Sequence, residues 1–389
     1  MIKLYGKAEK LAGPVVQTSV LPLTSNQAMP ERLRSRYAFI SKEAVVPPGF
    51  AAAFVQDVVQ ADETTARFKL PAELLYLKEG DIVRLNGSTG NVHTLFRKGS
   101  QHNTVLLTEQ CNNYCLMCSQ PPKNIDDSWL MDEALQLLEL IPVGTQHLGF
   151  SGGEPTLYGQ RFIDLIQRAK NFLPTTHLDV LSNGRAFHDL AFARALGAVD
   201  HPNCTIGIPI YSDDPVRHDY VVQSEGAFDE TVKGILNLKR ARQKVEIRIV
   251  IHRQTIDRLV QTCEFIARNL IFVDHVALMG LEITGFTRAN LDKLWIDPYE
   301  YRDTLSQAVQ VLNAYGIRSS IYNHQLCVIN RDAESNYTKS ISDWKNEYVD
   351  ACEGCTRANE CGGFFSSSKQ HKHSIHIKPF VQATALETC

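Results

Sequence analysis

From residue 103 onward, short apolar runs alternate with stretches of helical periodicity, and no other feature of the chain narrows its fold as much. The runs are Thr104–Leu107, His147–Ser151, His177–Leu181, Thr205–Ile210, Val245–His252 and His275–Leu281. Between the first two, apolar residues recur at spacings of three and four at Leu130, Ala134, Leu137 and Leu138, with Asp127-Ser128 placed to cap a helix. Further helices are expected near Arg161–Phe172, Leu190–Leu196, Phe228–Arg240, Arg258–Leu270 and Pro298–Tyr315. Strand–helix–strand units of this kind are right-handed and give a parallel sheet, so an α/β fold is expected over residues 103–315. Ligands then gather at the carboxyl ends of the strands.

The first hundred residues read differently. Pro47-Pro48-Gly49 precedes an apolar stretch from Phe50 to Val59. Short alternating pieces such as Asp81–Leu85 are then punctuated by Asn86-Gly87 and Thr89-Gly90. That pattern predicts strands and hairpins, hence a small, mostly β, N-terminal domain over 1–102, read as a packing or docking module. A C-terminal extension occupies 316–389, so the 389-residue chain has room for its three expected parts. Forty Lys+Arg against 43 Asp+Glu give a net charge of -3, which supports neither nucleic acid nor an acidic membrane as a general partner. No apolar run approaches the length of a membrane span, and the start has no secretory pattern, so a cytoplasmic protein is expected.

Ten cysteines in a reducing compartment ask for a reason other than disulfides. Three stand at Cys111, Cys115 and Cys118 just after the first strand, and three more at Cys352, Cys355 and Cys361. Such spacings point to metal. Three thiolates leave a metal site or one iron of a [4Fe–4S] cluster open to another ligand, whereas four close a structural site. A zinc site completed by a distant histidine is the bland alternative for the first triplet. Cys327 is available as a fourth ligand for the second set, where a fully ligated [4Fe–4S] cluster and structural zinc both fit the residue types. His371, His373 and His376 read as a solvated tail segment, Cys204 and Cys263 as core or surface thiols, and Cys389 as the chain end.

The Cys-x3-Cys-x2-Cys loop after the first strand resembles the signature of the radical S-adenosylmethionine (radical SAM) enzymes. Ser151-Gly152-Gly153-Glu154-Pro155 after the second strand resembles the family's Gly-Gly-Glu-Pro element, and Ser182-Asn183-Gly184 its Ser/Thr-Asn-Gly after the third. The resemblance implies a partial (β/α)6 TIM-like barrel. It implies a [4Fe–4S] cluster on the first triplet, with SAM as second cofactor. Gly152, Gly153, Glu154 and Pro155 would then meet the SAM amino group, and Ser182 and Asn183 its ribose and carboxylate. Along Val245–His252 the alternation puts Glu246, Arg248 and His252 on one face, expected to point into the barrel. Arg248 would there meet either the SAM carboxylate or an internal partner near Glu246. Met117 stands where the family usually has an aromatic residue.

Further stretches resemble one subgroup, the maturase of the His-Xaa-Ser peptide system (HxsC type). They are Cys118–Pro122, His218–Val222, Ala277–Glu282 with Gly285-Phe286 and Asn290, Ser340–Lys345, and Cys361–Phe365. The resemblance implies an auxiliary [4Fe–4S] cluster on Cys327, Cys352, Cys355 and Cys361. Its implied partners are a precursor peptide with His-Xaa-Ser repeats, a second radical SAM maturase, a small accessory protein and an electron donor. The competing functions are a radical SAM enzyme acting on RNA or a small molecule, and an iron–sulfur scaffold serving another maturase.

Overall fold

The computed structural model describes residues 2–41, 45–56, 65–339 and 346–381. The expected features at Ser340–Lys345, at Cys389 and over the last three residues of Phe50–Val59 lie outside these residues. Two compact units are present. One gathers residues 1–105, 128–148 and 167–176; the other gathers 106–127, 149–166 and 177–389.

Among the described residues the first unit is built on eight strands: β1 (Tyr5–Lys7), β2 (Glu9–Ala12), β3 (Ser19–Thr24), β4 (Ala38–Ile40), β5 (Ala52–Phe54), β6 (Arg67–Lys69), β7 (Ile82–Asn86) and β8 (Asn91–Phe96). A short helix, α1 (Glu31–Arg34), precedes β4. The strand order is β1-β8-β7-β3-β4-β5-β6-β2. Only Ala8 separates β1 from β2, yet they lie at opposite ends of that order. One continuous segment therefore pairs with β8 by its first half and with β6 by its second, and the sheet closes on itself. Closure leaves no free strand edge between those two ends. The expected Asn-Gly hairpin is present: Asn86 Oδ1 accepts from the N–H groups of Ser88 and Thr89 between β7 and β8. Leu21, Leu23, Phe54, Phe68, Val83, Leu85 and Val92 fill the centre. Helix α2 (Trp129–Leu140) belongs to this unit and buries the expected face, Leu130, Ala134, Leu137 and Leu138, together with Met131.

The remaining strands are β9 (Asn103–Thr108), β10 (His147–Gly152), β11 (His177–Leu181), β12 (Cys204–Pro209), β13 (Lys244–Ile251), β14 (His275–Gly280) and β15 (Ser319–Tyr322). They form one sheet in sequential order, and every registered pair from β11 to β15 is parallel. This is the expected α/β, barrel-like sheet with one correction: it has seven strands, not six. The seventh is not evident from apolar runs because Ser319-Ser320-Ile321-Tyr322 is short and polar, with Ile321 alone fully buried. Helices α3 (Gln160–Phe172), α4 (Leu190–Val199), α5 (Pro215–Val222), α6 (Ala227–Arg240) and α7 (Leu259–Asn269) fall between strands. They are followed by α8 (Phe286–Ala289), α9 (Leu291–Leu294), α10 (Arg302–Ala314) and α11 (Ser366–His371). In β13, Val245, Ile247, Ile249 and Ile251 are buried, while Glu246, Arg248 and Val250 keep partial access on the other face; the alternation holds for Glu246 and Arg248, but His252, expected beside them, lies past the strand end and is fully buried. No helix among the described residues is long and apolar enough to cross a membrane.

Candidate functional site

The cysteine loop leaves β9 at Thr108, and a buried carboxylate fastens its start. Asp127 accepts from Thr108 Oγ1 and Gln110 Nε2, both at 3.1 Å, from Tyr158 OH at 2.8 Å, and from the Glu109 N–H. Burial works to raise its pKa, but these donors prevail and hold it below the ordinary value. Asp127 is therefore an anchor for the loop rather than the cap of α2, and Ser128 makes no side-chain cap either. The composition Asp-Ser before a helix could not distinguish the two uses, because the donors come from remote parts of the sequence.

Arg185, which belongs to none of the sequence motifs, holds the loop from another side. Its Nη1 donates to Asn112 O at 2.9 Å, Asn113 Oδ1 at 2.7 Å and Ser224 Oγ at 2.8 Å, while Nε pairs with Glu230 at 2.6 Å. Tyr114 and Leu116 donate from their backbone to Val222 and Val221. Asn290 Nδ2, Thr287 Oγ1 and Phe286 N–H reach the carbonyls of Leu116, Met117 and Cys118. Gly285-Phe286 and Asn290 thus act on the cysteine loop itself.

The two glycines after β10 permit close approach. A Cβ at Gly152 would stand 2.3 Å from Thr108 O, and one at Gly153 would stand 2.0 Å from Gln110 O. The Gly153 and Glu154 N–H groups instead bond those carbonyls, each at 2.8 Å. Glu154 itself is fully buried. Its carboxylate accepts from Thr156 N–H at 3.0 Å, Thr156 Oγ1 at 2.6 Å, Ser182 Oγ at 2.8 Å and Asn183 N–H at 2.5 Å. It caps the turn that Pro155 opens, and it ties the end of β10 to the end of β11. Burial raises its pKa against the pull of those donors. Asn183 Nδ2 reaches on to Asn112 Oδ1 at 2.6 Å.

These contacts frame a cavity of about 1560 Å³, counted to its open mouth. Cys111, Cys115 and Cys118 lie on one side, with Ser151, Gly152, Gly153, Ser182, Asn183 and Arg248 around it. Glu154 and Pro155 stand behind that lining. Arg248 has the internal partner that was one of its two expected roles, pairing with Glu246 at 3.0 Å, and it also lines the cavity. Gly207 leaves room for it, since a Cβ there would lie 3.0 Å from Arg248 Cδ. Burial pushes the Cys111 thiol up to about 11 and raises Cys115 and Cys118 as well. Thiols held so are protonated unless a metal takes the proton's place. Three converging thiols beside a glycine-lined backbone fit an iron–sulfur cluster with one position left for a non-protein ligand.

Cys327, Cys352, Cys355 and Cys361 meet around a second, smaller hollow of about 340 Å³. The N–H groups of Leu326 and Gly363 approach Cys361 Sγ at 3.4 Å, and that of Phe380 approaches Cys355 Sγ at 3.4 Å. Tyr348 OH donates to Ala358 O at 2.6 Å and Cys361 O at 3.0 Å, closing the chain turn around them. Among the described residues no three His, Cys, Asp or Glu side chains meet closely enough to share a single ion. Of the histidine tract only His371 is exposed as expected: His376 stacks on Tyr299 at 4.1 Å, His373 meets the Phe364 edge at 5.3 Å, and Ser374 is buried between them. Polar composition hid this because the packing partners are supplied from elsewhere in the fold. Cys204 and Cys263 are core thiols.

Comparison with known proteins gives two kinds of likeness. The structure is similar to anSMEcpe with bound AdoMet, at 13% identity over 71% of this chain and 92% of that one, with a TM-score of 0.50. It is also similar to SuiB of Streptococcus suis bound to S-adenosylmethionine, at 14% identity over 60% of this chain, with a TM-score of 0.46. The chain spans about half of SuiB's length, 52%. Residues 105–266 match the family described as the Radical SAM superfamily, and the cysteine loop and the first strand ends facing it lie within that match.

Proposed function

We propose that this chain is a radical SAM enzyme that modifies a ribosomal peptide, the maturase of a His-Xaa-Ser system. The observation that carries the reading is the gathering of Cys111, Cys115 and Cys118 at one cavity with the ends of β10, β11 and β13. In this reading the three cysteines hold a [4Fe–4S] cluster. The backbone of Ser151–Gly153 receives the amino group of SAM, Ser182 and Asn183 face its ribose, and Arg248 offers a cation to its carboxylate. When bound, the pair supplies reductive cleavage of the sulfonium and a radical able to take hydrogen from an unactivated C–H bond. The protein's part is to orient. Asp127, Arg185 and Glu154 hold the cysteine loop and the strand ends in register, and the cavity walls limit water.

The second set of cysteines would hold an auxiliary cluster. Zinc would draw four sulfurs to one point, with Zn–S near 2.3 Å. Thiols spread around a hollow favour a larger group. The peptide substrate rests on the subgroup resemblance in sequence, as do the second maturase, the accessory protein and the electron donor as partners. The cytoplasm is the compartment in which such thiols stay reduced. Domain limits of 1–102, 103–315 and 316–389 belong to the same proposal.

The test is direct. Purified anaerobically, reconstituted with iron and sulfide, and given dithionite and SAM, the protein should release 5′-deoxyadenosine. With its precursor peptide it should change that peptide's mass. Nucleoside release with no peptide change would favour a small molecule or RNA as substrate. No nucleoside at all would leave an iron–sulfur scaffold.

A further inference from the structure

Glu246 and Arg248 share one face of β13, and Glu246 stands in register with His275 on β14. Ser320 lies on β15, the strand beyond. One unbroken line of polar contacts crosses these three strands. Ser320 Oγ is 3.0 Å from His275 Nε2, and His275 Nδ1 is 2.9 Å from Glu246 Oε2. Arg248 Nη1 donates to the other carboxylate oxygen, Glu246 Oε1, at 3.0 Å. A carboxylate on the inward face of a parallel sheet is costly unless it is paired. Burial works to raise the Glu246 pKa, but the His275 hydrogen bond and the Arg248 charge hold it below the ordinary value, so it stays an anion.

Of these four side chains, Arg248 alone lines the cavity of the first three cysteines. Its stem passes Gly207, where a Cβ would lie 3.0 Å from Cδ, and its Nη2 donates to Met279 Sδ at 3.3 Å. Thioether sulfur is a weak acceptor, so Glu246 is the strong partner that sets the plane of the guanidinium. The two contacts use only part of the donor set and leave the rest for a ligand in the cavity. Arginine gives up much rotamer freedom when it is held. A fork fixed before its ligand arrives therefore binds more tightly than one that must first be ordered.

We propose that Glu246 is a positioning residue for Arg248: braced by His275 and Ser320, it holds the guanidinium in the orientation that receives the carboxylate of SAM. The inference rests on the reading of Arg248 given above. It assigns a task to the short polar strand β15, whose Ser320 is the outermost brace of the line.

The test is SAM affinity, measured by equilibrium dialysis on the full chain after anaerobic reconstitution and without reductant, so that no SAM is consumed. Arg248→Met, which keeps the stem, should weaken SAM by about tenfold or more. Glu246→Ala should weaken it by about tenfold, and His275→Ala by about threefold, with iron content unchanged. Glu246→Gln keeps a carbonyl for Arg248 Nη1, so its loss should be about threefold at most. In the Arg248→Met background, Glu246→Ala should add less than about twofold, because its effect passes through the guanidinium. Wild-type affinity in Glu246→Ala or His275→Ala would overturn the inference, as would tighter binding in Glu246→Ala, which would make the carboxylate only a counter-charge. A Glu246→Ala loss that persists in full beside Arg248→Met would also overturn it, as the mark of a general structural role. Wild-type affinity in Arg248→Met would instead defeat the reading of Arg248 and the inference with it, an outcome told apart by that single variant.

Discussion

The two cysteine sites differ in what surrounds the sulfur. At the first, three thiols face a cavity of about 1560 Å³, and the polar groups of the strand ends are spent on holding the loop. At the second, four thiols face inward on a hollow of about 340 Å³ whose walls include Tyr348, Lys378 and Phe380. Backbone N–H groups there point at two of the four sulfurs, where the first site has one such contact, Asn113 N–H to Cys111 Sγ at 3.4 Å. An open side with an incomplete thiol set suits a ligand that comes and goes; a closed side with a complete set suits a resident group.

Removing one site at a time should break the comparison most sharply. With Cys111, Cys115 and Cys118 all changed to Ala, 5′-deoxyadenosine formation should vanish while about four irons remain per chain. Their Mössbauer signal should be indifferent to SAM. One zinc and no iron in that variant would make the second site structural zinc. A SAM-dependent signal would mean that Cys327, the remote member, is not a ligand.

Glu154 sharpens the comparison from the other side, because its four donors are all protein groups. Glu154→Ala should destabilise the folded state by about 3 kcal/mol or more, since each stranded buried donor costs about 1–3 kcal/mol. Glu154→Gln should recover part of that in a urea melt. Should Glu154→Ala leave the urea midpoint unmoved while SAM affinity falls, the carboxylate would be a cofactor ligand and not a fastener.

The smallest effect expected is an acid sensitivity shared between the sites. Burial lowers His218 to about 4 and His252 to about 3 behind the first site, and His324 to about 4 beside the second. Each folded value lies below the unfolded one near 6.5, so below that pH the unfolded chain binds more protons. Their stabilisation is present above about pH 6.5 and is lost as pH falls toward 4, on the order of 1–3 kcal/mol for each group. His252 Nε2 has no hydrogen-bond partner among the described residues, so His252→Leu should remove one share of this loss. Equal urea midpoints at pH 7 and pH 5 for wild type would show that these side chains titrate normally.

Much of the site is legible in the order of residues alone. Metal-type spacing identifies both cysteine sets, and alternation places Arg248 on the cavity face of β13. Legibility ends where a residue's task depends on remote donors. Asp127 has the look of a cap and is an anchor, because Gln110 and Tyr158 reach it from other elements. Arg185 follows an ordinary turn, and only the fold brings Asn112, Asn113, Ser224 and Glu230 within its reach.

The sequence by itself determined the alternating elements, the two thiol sets and the glycines that allow close backbone approach, since these depend on local periodicity, ligand chemistry and the missing Cβ. Only the tertiary structure decided which carboxylate is consumed by the protein and which polar group is left for a ligand. Hydrogen-bond satisfaction is a property of the whole neighbourhood: Glu154 is filled from the ends of two strands, while Arg248 lines the cavity with its guanidinium paired to Glu246.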